Sequence, residues 1–173
     1  EEESSLEEEE SSLEEEESSE EESSEEFEWD CFLSYCWGRD LQTRERVKSI
    51  CDKLKEHGVN PWLDSEQLEY SIPIGLANGI EFSRKFVVFL TAEYLDEVNE
   101  ECGNTYCSRE FGYINGSGRR NDVVVVVLDE DMKNTECWEG TFLFFLSGCI
   151  FHDFSTTEKE ECNFEYLLEA IRR

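Results

Sequence analysis

Asp122-Val-Val-Val-Val-Val-Leu128 has no polar side chain between its first residue and its last. Successive side chains of a strand point to opposite faces, so a strand built from this run is apolar on both. Such a strand belongs in a sheet covered on two sides, as parallel sheets between helices are. Lys85-Phe-Val-Val-Phe-Leu-Thr91 is a second run of this kind, and Phe27-Glu-Trp-Asp-Cys-Phe-Leu-Ser-Tyr35 reads as a strand ahead of both.

Between these runs the apolar period becomes helical. From about Leu41 to His57, the residues Val47, Ile50, Cys51 and Leu54 share one face. Asp40 suits the N-cap of this helix and Gly58 its C′ position. Asn60-Pro-Trp-Leu-Asp64 reads as a short second strand, Ser65 to Ser71 as a loop, and Pro73 to Arg84 as a helix weakened by Gly75 and Gly79. Asn104 suits the cap of a helix reaching about Ile114, and Asn115 to Arg120 reads as a loop tip. Thr135 to Phe145 fits neither period cleanly, and Gly148 to Phe154 fits a fifth strand. Thr157-x-x-Glu160 has the pattern of a capping box before a last helix marked by Phe164, Leu167, Leu168 and Ile171. Strand and helix alternate five times. The expected fold is α/β, a flavodoxin-like doubly wound five-stranded parallel sheet, with ligands beyond the carboxyl ends of its strands.

Charge divides the chain. Residues 1–26 hold 16 acidic residues and no Lys or Arg, whereas residues 27–173 hold 28 acidic and 15 basic ones. The first segment repeats Glu-Glu-Glu-Ser-Ser-Leu-Glu with one Leu per repeat. A coiled-coil seam needs two apolar positions per heptad, and like charges four apart oppose a helix. A disordered acidic leader is therefore expected over 1–26, with a single domain over 27–173. Ser4, Ser5, Ser11, Ser12, Ser18, Ser19 and Ser23 each precede a Glu by three residues, the spacing acid-directed kinases prefer. An acidic domain is a poor partner for a nucleic-acid backbone. No apolar run approaches the ~18 residues of a membrane span, so no direct membrane insertion is expected. The eight cysteines form no C-x-x-C pair, and the spacings Cys31/Cys36 and Cys102/Cys107 lack nearby His. Neither a metal site nor a disulfide framework is expected, and a reduced, cytoplasmic setting fits.

Several segments, taken in order, resemble the Toll/interleukin-1 receptor (TIR) domain family. Asp30-Cys-Phe-Leu-Ser-Tyr35 is similar to that family's opening strand, and Trp62-Leu-Asp64 to the end of its second. Ala77-Asn-Gly-Ile-Glu-Phe-Ser-Arg-Lys-Phe-Val-Val-Phe-Leu-Thr91 resembles its second helix and third strand. Tyr94 followed by Cys107-Ser-Arg-Glu-Phe111 resembles the segment ending in Cys-x-x-Glu and an apolar residue. Trp138-Glu-Gly140, Gly148 and Asp153-Phe154 resemble the late segment of TIR domains from amoeboid and invertebrate multidomain proteins. The loop after the second strand usually carries a Gly before its helix, and here Tyr70-Ser-Ile-Pro73 stands there.

The resemblance implies two functions. Some TIR domains cleave NAD+ at the nicotinamide–ribose bond, using a Glu at the place of Glu110 with an aromatic four residues before it, here Tyr106. That spacing puts Tyr106 and Glu110 on one helical face with Tyr113 beside them, leaving Cys107, Phe111 and Ile114 to pack. Loss of nicotinamide leaves an oxocarbenium-like ribosyl centre, which one carboxylate can stabilise. On this reading NAD+ is a substrate and no cofactor is implied. Trp62 would stack on the ligand. Ser34, Tyr35, Trp37 and Arg39 would line the site after the first strand, although Cys36 stands where some cleaving members have Arg. Other TIR domains only recruit further TIR domains by homotypic association. The loop carrying Glu66, Leu68, Tyr70, Ile72 and Pro73 would then be the contact. The residues alone leave both readings open. Glu110 also fits a solvated helix face, Trp62 also fits a cover for the sheet end, and Trp37 also fits packing.

Overall fold

The computed structural model of the chain describes residues 27–37, 41–67, 72–100 and 105–173. The expected leader, Arg39, Asp40, Leu68, Tyr70 and Asn104 lie outside the described residues.

Five strands, β1 (Trp29–Tyr35), β2 (Pro61–Trp62), β3 (Ser83–Leu90), β4 (Val123–Val127) and β5 (Phe151–Asp153), form one parallel sheet in the order β2-β1-β3-β4-β5. Among the described residues, seven helices surround it: α1 (Leu41–Glu56), α2 (Asp64–Gln67), α3 (Ile72–Glu81), α4 (Ala92–Asn99), α5 (Tyr106–Gly116), α6 (Gly140–Leu146) and α7 (Thr157–Arg172). The flavodoxin-like order expected from the apolar strands is the observed one.

The period of two sorts each central strand between two cores. Phe32, Phe86, Val88, Leu90, Val125 and Val127 join the core under α3, α4, α5 and α6. Leu33, Tyr35, Val87, Phe89, Val124 and Val126 join the core under α1 and α7. All five valines of β4 are buried, so neither face of that strand meets water. At the end of α1, Gly58 takes φ +78° and its amide donates to the Lys55 carbonyl at 2.9 Å, closing the helix.

Several boundaries differ from the sequence expectation. Helix α3 stops at Glu81 rather than Arg84, because Ser83 is already paired with Trp29 in the sheet. Thr91 is not the end of β3 but the N-cap of α4, accepting from the Tyr94 amide. Helix α4 was not expected, although Tyr94, Leu95 and Val98 give it a buried face. Thr105, not Asn104, caps α5. That helix runs through Gly116, into the segment expected as a loop tip. Asp64 opens the short helix α2 where a loop was expected. The ambiguous stretch after Thr135 becomes a 3₁₀ turn, Thr135–Cys137, and helix α6. The last helix is capped by Thr156, one residue earlier than expected. Glu160 consequently faces inward and pairs with Lys53 at 2.5 Å and Arg46 at 3.5 Å instead of reaching back to the cap.

Packing of α3 on the sheet end rests on Gly79. A Cβ at this position would lie 2.5 Å from the indole of Trp62, which is itself buried and stacked on Phe32 at 4.6 Å. Gly79→Ala is expected to lower stability by about 1–3 kcal/mol, overpacking outweighing the better helix propensity of Ala. Gly112→Ala, where nothing lies within 4 Å of the new methyl, is expected to be neutral or slightly stabilising. Denaturant melts of the two variants beside the parent check this contrast.

Candidate functional site

The order of the sheet reverses between β1 and β3, since the chain leaves β1 for β2 on one side and returns to β3 on the other. The crevice at such a reversal, beyond the carboxyl ends of the strands, is where open α/β sheets bind ligands. Here it lies between Ser34 and Tyr35 at the end of β1 and Leu90 at the end of β3. Helices α4 and α5 close over it.

Three buried side chains meet at this point. The Ser34 hydroxyl donates to Glu110 Oε2 at 2.8 Å, and its oxygen lies 2.9 Å from the hydroxyl of Tyr94. Glu110 is only 5% exposed, so it belongs to the packed face of α5 with Cys107, Phe111 and Ile114 rather than to a solvated one. Burial of its carboxyl pushes its pKa up to about 8; the Ser34 hydrogen bond opposes the rise, and Asp64 and Glu97 add to it. Asp64, after β2, is also buried and its pKa is raised by burial, opposed by the Ser65 amide, Tyr35 hydroxyl and Trp37 indole. Its Oδ1 accepts from Tyr35 at 3.0 Å, while Oδ2 is buried with no partner among the described residues.

Beside Glu110 a cavity of about 110 Å³ opens between Pro73, Leu76 and Ile80 of α3 and Tyr106, Glu110 and Tyr113 of α5, with Arg109 at its edge. Tyr106 stacks on Trp37, their ring centres 6.0 Å apart and their planes at 28°. Trp37 is 39% exposed, so one aromatic pair forms the outer wall where β1 ends. The cavity presents one ionisable carboxyl, one guanidinium and aromatic edges.

The structure brings together Ser34, Trp37, Tyr106 and Glu110, with Tyr35 one residue away and turned to Asp64. Trp62 is not among them. Its ring is 4% exposed, held between Phe32 and the backbone at Gly79, so it packs the sheet end and presents no free face to a ligand. Of the expected contact loop, Glu66 is ion-paired with Lys55, Ile72 packs partly against the core, and Pro73 is exposed. Tyr94 and Asp64 carry polar functions that the sequence reading did not assign to the site. The Thr91-x-x-Tyr94 cap pattern was the available signal for Tyr94.

Another cluster adjoins these residues. Cys36, Glu97 and Cys107 place one ligand atom each within 4.8 Å of the others. The two sulfurs come one from each C-x4-C spacing and not from a single one, so nothing local in the sequence announced their meeting. All seven described cysteines are free thiols.

A family model described as TIR domain matches residues 31–168. No curated protein matches the chain. Among solved structures, the chain is similar to the TIR domain of the Toll-related receptor TRR-2 from Hydra magnipapillata, with 15% identity and TM-score 0.61, covering 84% of this chain and 99% of that one. It is similar to a prokaryotic SEFIR domain at 20% identity and TM-score 0.65, covering 83% of this chain and 98% of that one. It is also similar to a metazoan TIR-STING receptor from C. gigas at 13% identity and TM-score 0.59, covering 85% of this chain and 41% of that one. At these identities the likeness is one of fold.

Burying Glu110 has a cost that depends on pH. Its folded pKa of about 8 lies above the ordinary ~4.3 of a free Glu. The stability it allows is complete below about pH 4.3, where the carboxyl is protonated in both states. That stability is lost as pH rises toward about 8 and the unfolded chain alone ionises. Glu110→Gln keeps an acceptor for Ser34 without the charge. The variant is expected to match the parent near pH 4.5 and to exceed it by about 1–3 kcal/mol above pH 8. Thermal melts across this range check it, and parallel curves for the two proteins would refute it.

Proposed function

The chain belongs to the TIR domain family, a family of signal-transduction domains, and from that premise we propose that it cleaves NAD+ at the nicotinamide–ribose bond with Glu110 as the catalytic residue. The observation that carries the proposal is the Ser34–Glu110 hydrogen bond at the rim of an aromatic-walled cavity, at the reversal point of the sheet. A carboxyl buried at the end of a parallel strand is costly to fold around. A raised pKa beside a cavity is the usual mark of a group kept for chemistry.

The chemistry follows from the groups present. The bond between the nicotinamide nitrogen and the ribose C1′ breaks, and nicotinamide leaves as a neutral ring with the bonding electron pair. The ribosyl centre becomes oxocarbenium-like. Ionised Glu110 stabilises that positive charge and accepts from a ribose hydroxyl. Water adds to C1′ and gives up one proton, leaving ADP-ribose. Ser34 holds the carboxylate in register, and Tyr106, braced by Trp37, supplies a flat wall for the departing ring. Arg109 stands where it can meet a phosphate.

The cavity is smaller than the task. Pockets for whole small molecules run from about 300 to 1,000 Å³, so about 110 Å³ takes one ring and not a dinucleotide. Turnover therefore requires α3 and α5 to part, a change that assembly of several copies would supply. Homotypic association is the second reading in its own right. Pro73 and Ile74, both exposed at the start of α3, favour it.

Purified protein at high concentration is expected to release nicotinamide from NAD+, and Glu110→Ala to lose at least about a hundredfold of that rate. Because the active form is the carboxylate, kcat/KM should rise with pH and level off above about 8. Full activity in Glu110→Ala would sink the assignment. Substituting Pro73 and Ile74 by Asp tests the second reading by analytical ultracentrifugation. Unchanged self-association would count against contact through that helix start.

A further inference from the structure

We infer that Cys36, Glu97 and Cys107 form a binding site for a thiophilic divalent cation, Zn2+ being the natural occupant. Cys36 directly follows β1, Glu97 lies on α4 and Cys107 lies in the first turn of α5. Two sulfurs and a carboxylate oxygen from three separate elements converge within 4.8 Å. Around a tetrahedral zinc with Zn–S ~2.3 Å and Zn–O ~2.0 Å, such donors stand roughly 3.5–3.8 Å apart. A contraction of at most roughly 1.0–1.3 Å closes the set, and the half-buried Glu97 can follow by turning its side chain.

The donor set selects the class of ion. Two thiolates with one carboxylate favour zinc over the hard cations magnesium and calcium, which take oxygen ligands. Three protein donors leave the fourth position to water. Both sulfurs are buried, at 1% and 3% exposure, while Glu97 is only half-buried. The Cys107 thiol donates to the Tyr35 carbonyl at 3.3 Å, and its hydrogen bond with Cys36, followed by burial and the nearby Glu110, holds its proton on. A bound cation reverses that balance. Each thiol releases its proton to solvent as its sulfur binds. Two protons leave per dication, and the net charge of the cluster is unchanged. The buried surroundings therefore gain no added charge on loading. The site does not rest on the NAD+ reading. Its structural effect would be to pin the first turn of α5, which carries Tyr106, to the end of β1.

Titrating the full chain with Co2+ tests the site, because thiolate ligation to cobalt gives a sulfur-to-metal charge-transfer band that carboxylate binding does not. The parent is expected to show this band saturating at one ion per chain and bleaching when Zn2+ is added. Cys36→Ala and Cys107→Ala should each abolish it. Glu97→Gln should weaken binding by about tenfold or more. The variant C102S/C137S/C149S/C162S, which removes Cys102 and the described thiols outside the buried set, should keep it. No band in the folded parent would overturn the proposal. So would a band that survives both alanine substitutions, or one that disappears in the variant without the outer thiols. If an alanine variant fails to fold, the parent's stoichiometry and the outer-thiol variant decide the matter between them.

Discussion

A strand whose side chains are apolar on both faces cannot leave either face in water; β4 is of this kind throughout, and β3 is from Phe86 to Leu90. Their alternate residues enter two separate cores, with α1 and α7 on one side and α3 to α6 on the other. Parallel pairing then forces each connection to cross a face of the sheet. With five strands in the order β2-β1-β3-β4-β5, the crossings change side at β1 and β3. The crevice at that reversal follows from covering both faces, and every polar group of the candidate site gathers around it.

The energetic price of the site falls on one carboxyl. Glu110 occupies a position on α5 that packing would give to an apolar residue, between Cys107, Phe111 and Ile114. Its compensation is small: one hydrogen bond from Ser34, which in turn is shared with Tyr94. Asp64 repeats the pattern nearby, with one oxygen satisfied by Tyr35 and the other unpartnered. Two partly satisfied buried acids within one crevice are a poor solution for stability alone. Nearby, Cys36, Cys107 and Glu97 bring two sulfurs and a carboxylate to the same end of the sheet.

Legibility in the sequence followed the range of the interactions. Helix α1, with its apolar face and Gly58 stop, and the β4 valines were readable because helical period, strand period and left-handed caps are local properties. The ordered series of TIR-like segments was readable for the same reason. Boundaries set by partners were not. Ser83 joins β3 because Trp29 lies beside it, and Thr156 displaces Thr157 as a cap while Glu160 turns to Lys53 and Arg46. Trp62 looked equally suited to stacking on a ligand or covering the sheet, and the close approach of Gly79 on α3 settled it as packing.

The sequence by itself determined the class of fold, the strand count and the spacing of Tyr106 and Glu110 on one helical face, since each depends on residues within a few turns of one another. Only the tertiary structure decided what that face meets. The helix could have turned Glu110 to water with no change in its own hydrogen bonds. Packing against Ser34, 76 positions away, and Tyr94 buries it instead and raises its pKa. The convergence of Cys36, Glu97 and Cys107 is likewise absent from any local pattern. It exists only because β1, α4 and α5 share one end of the sheet.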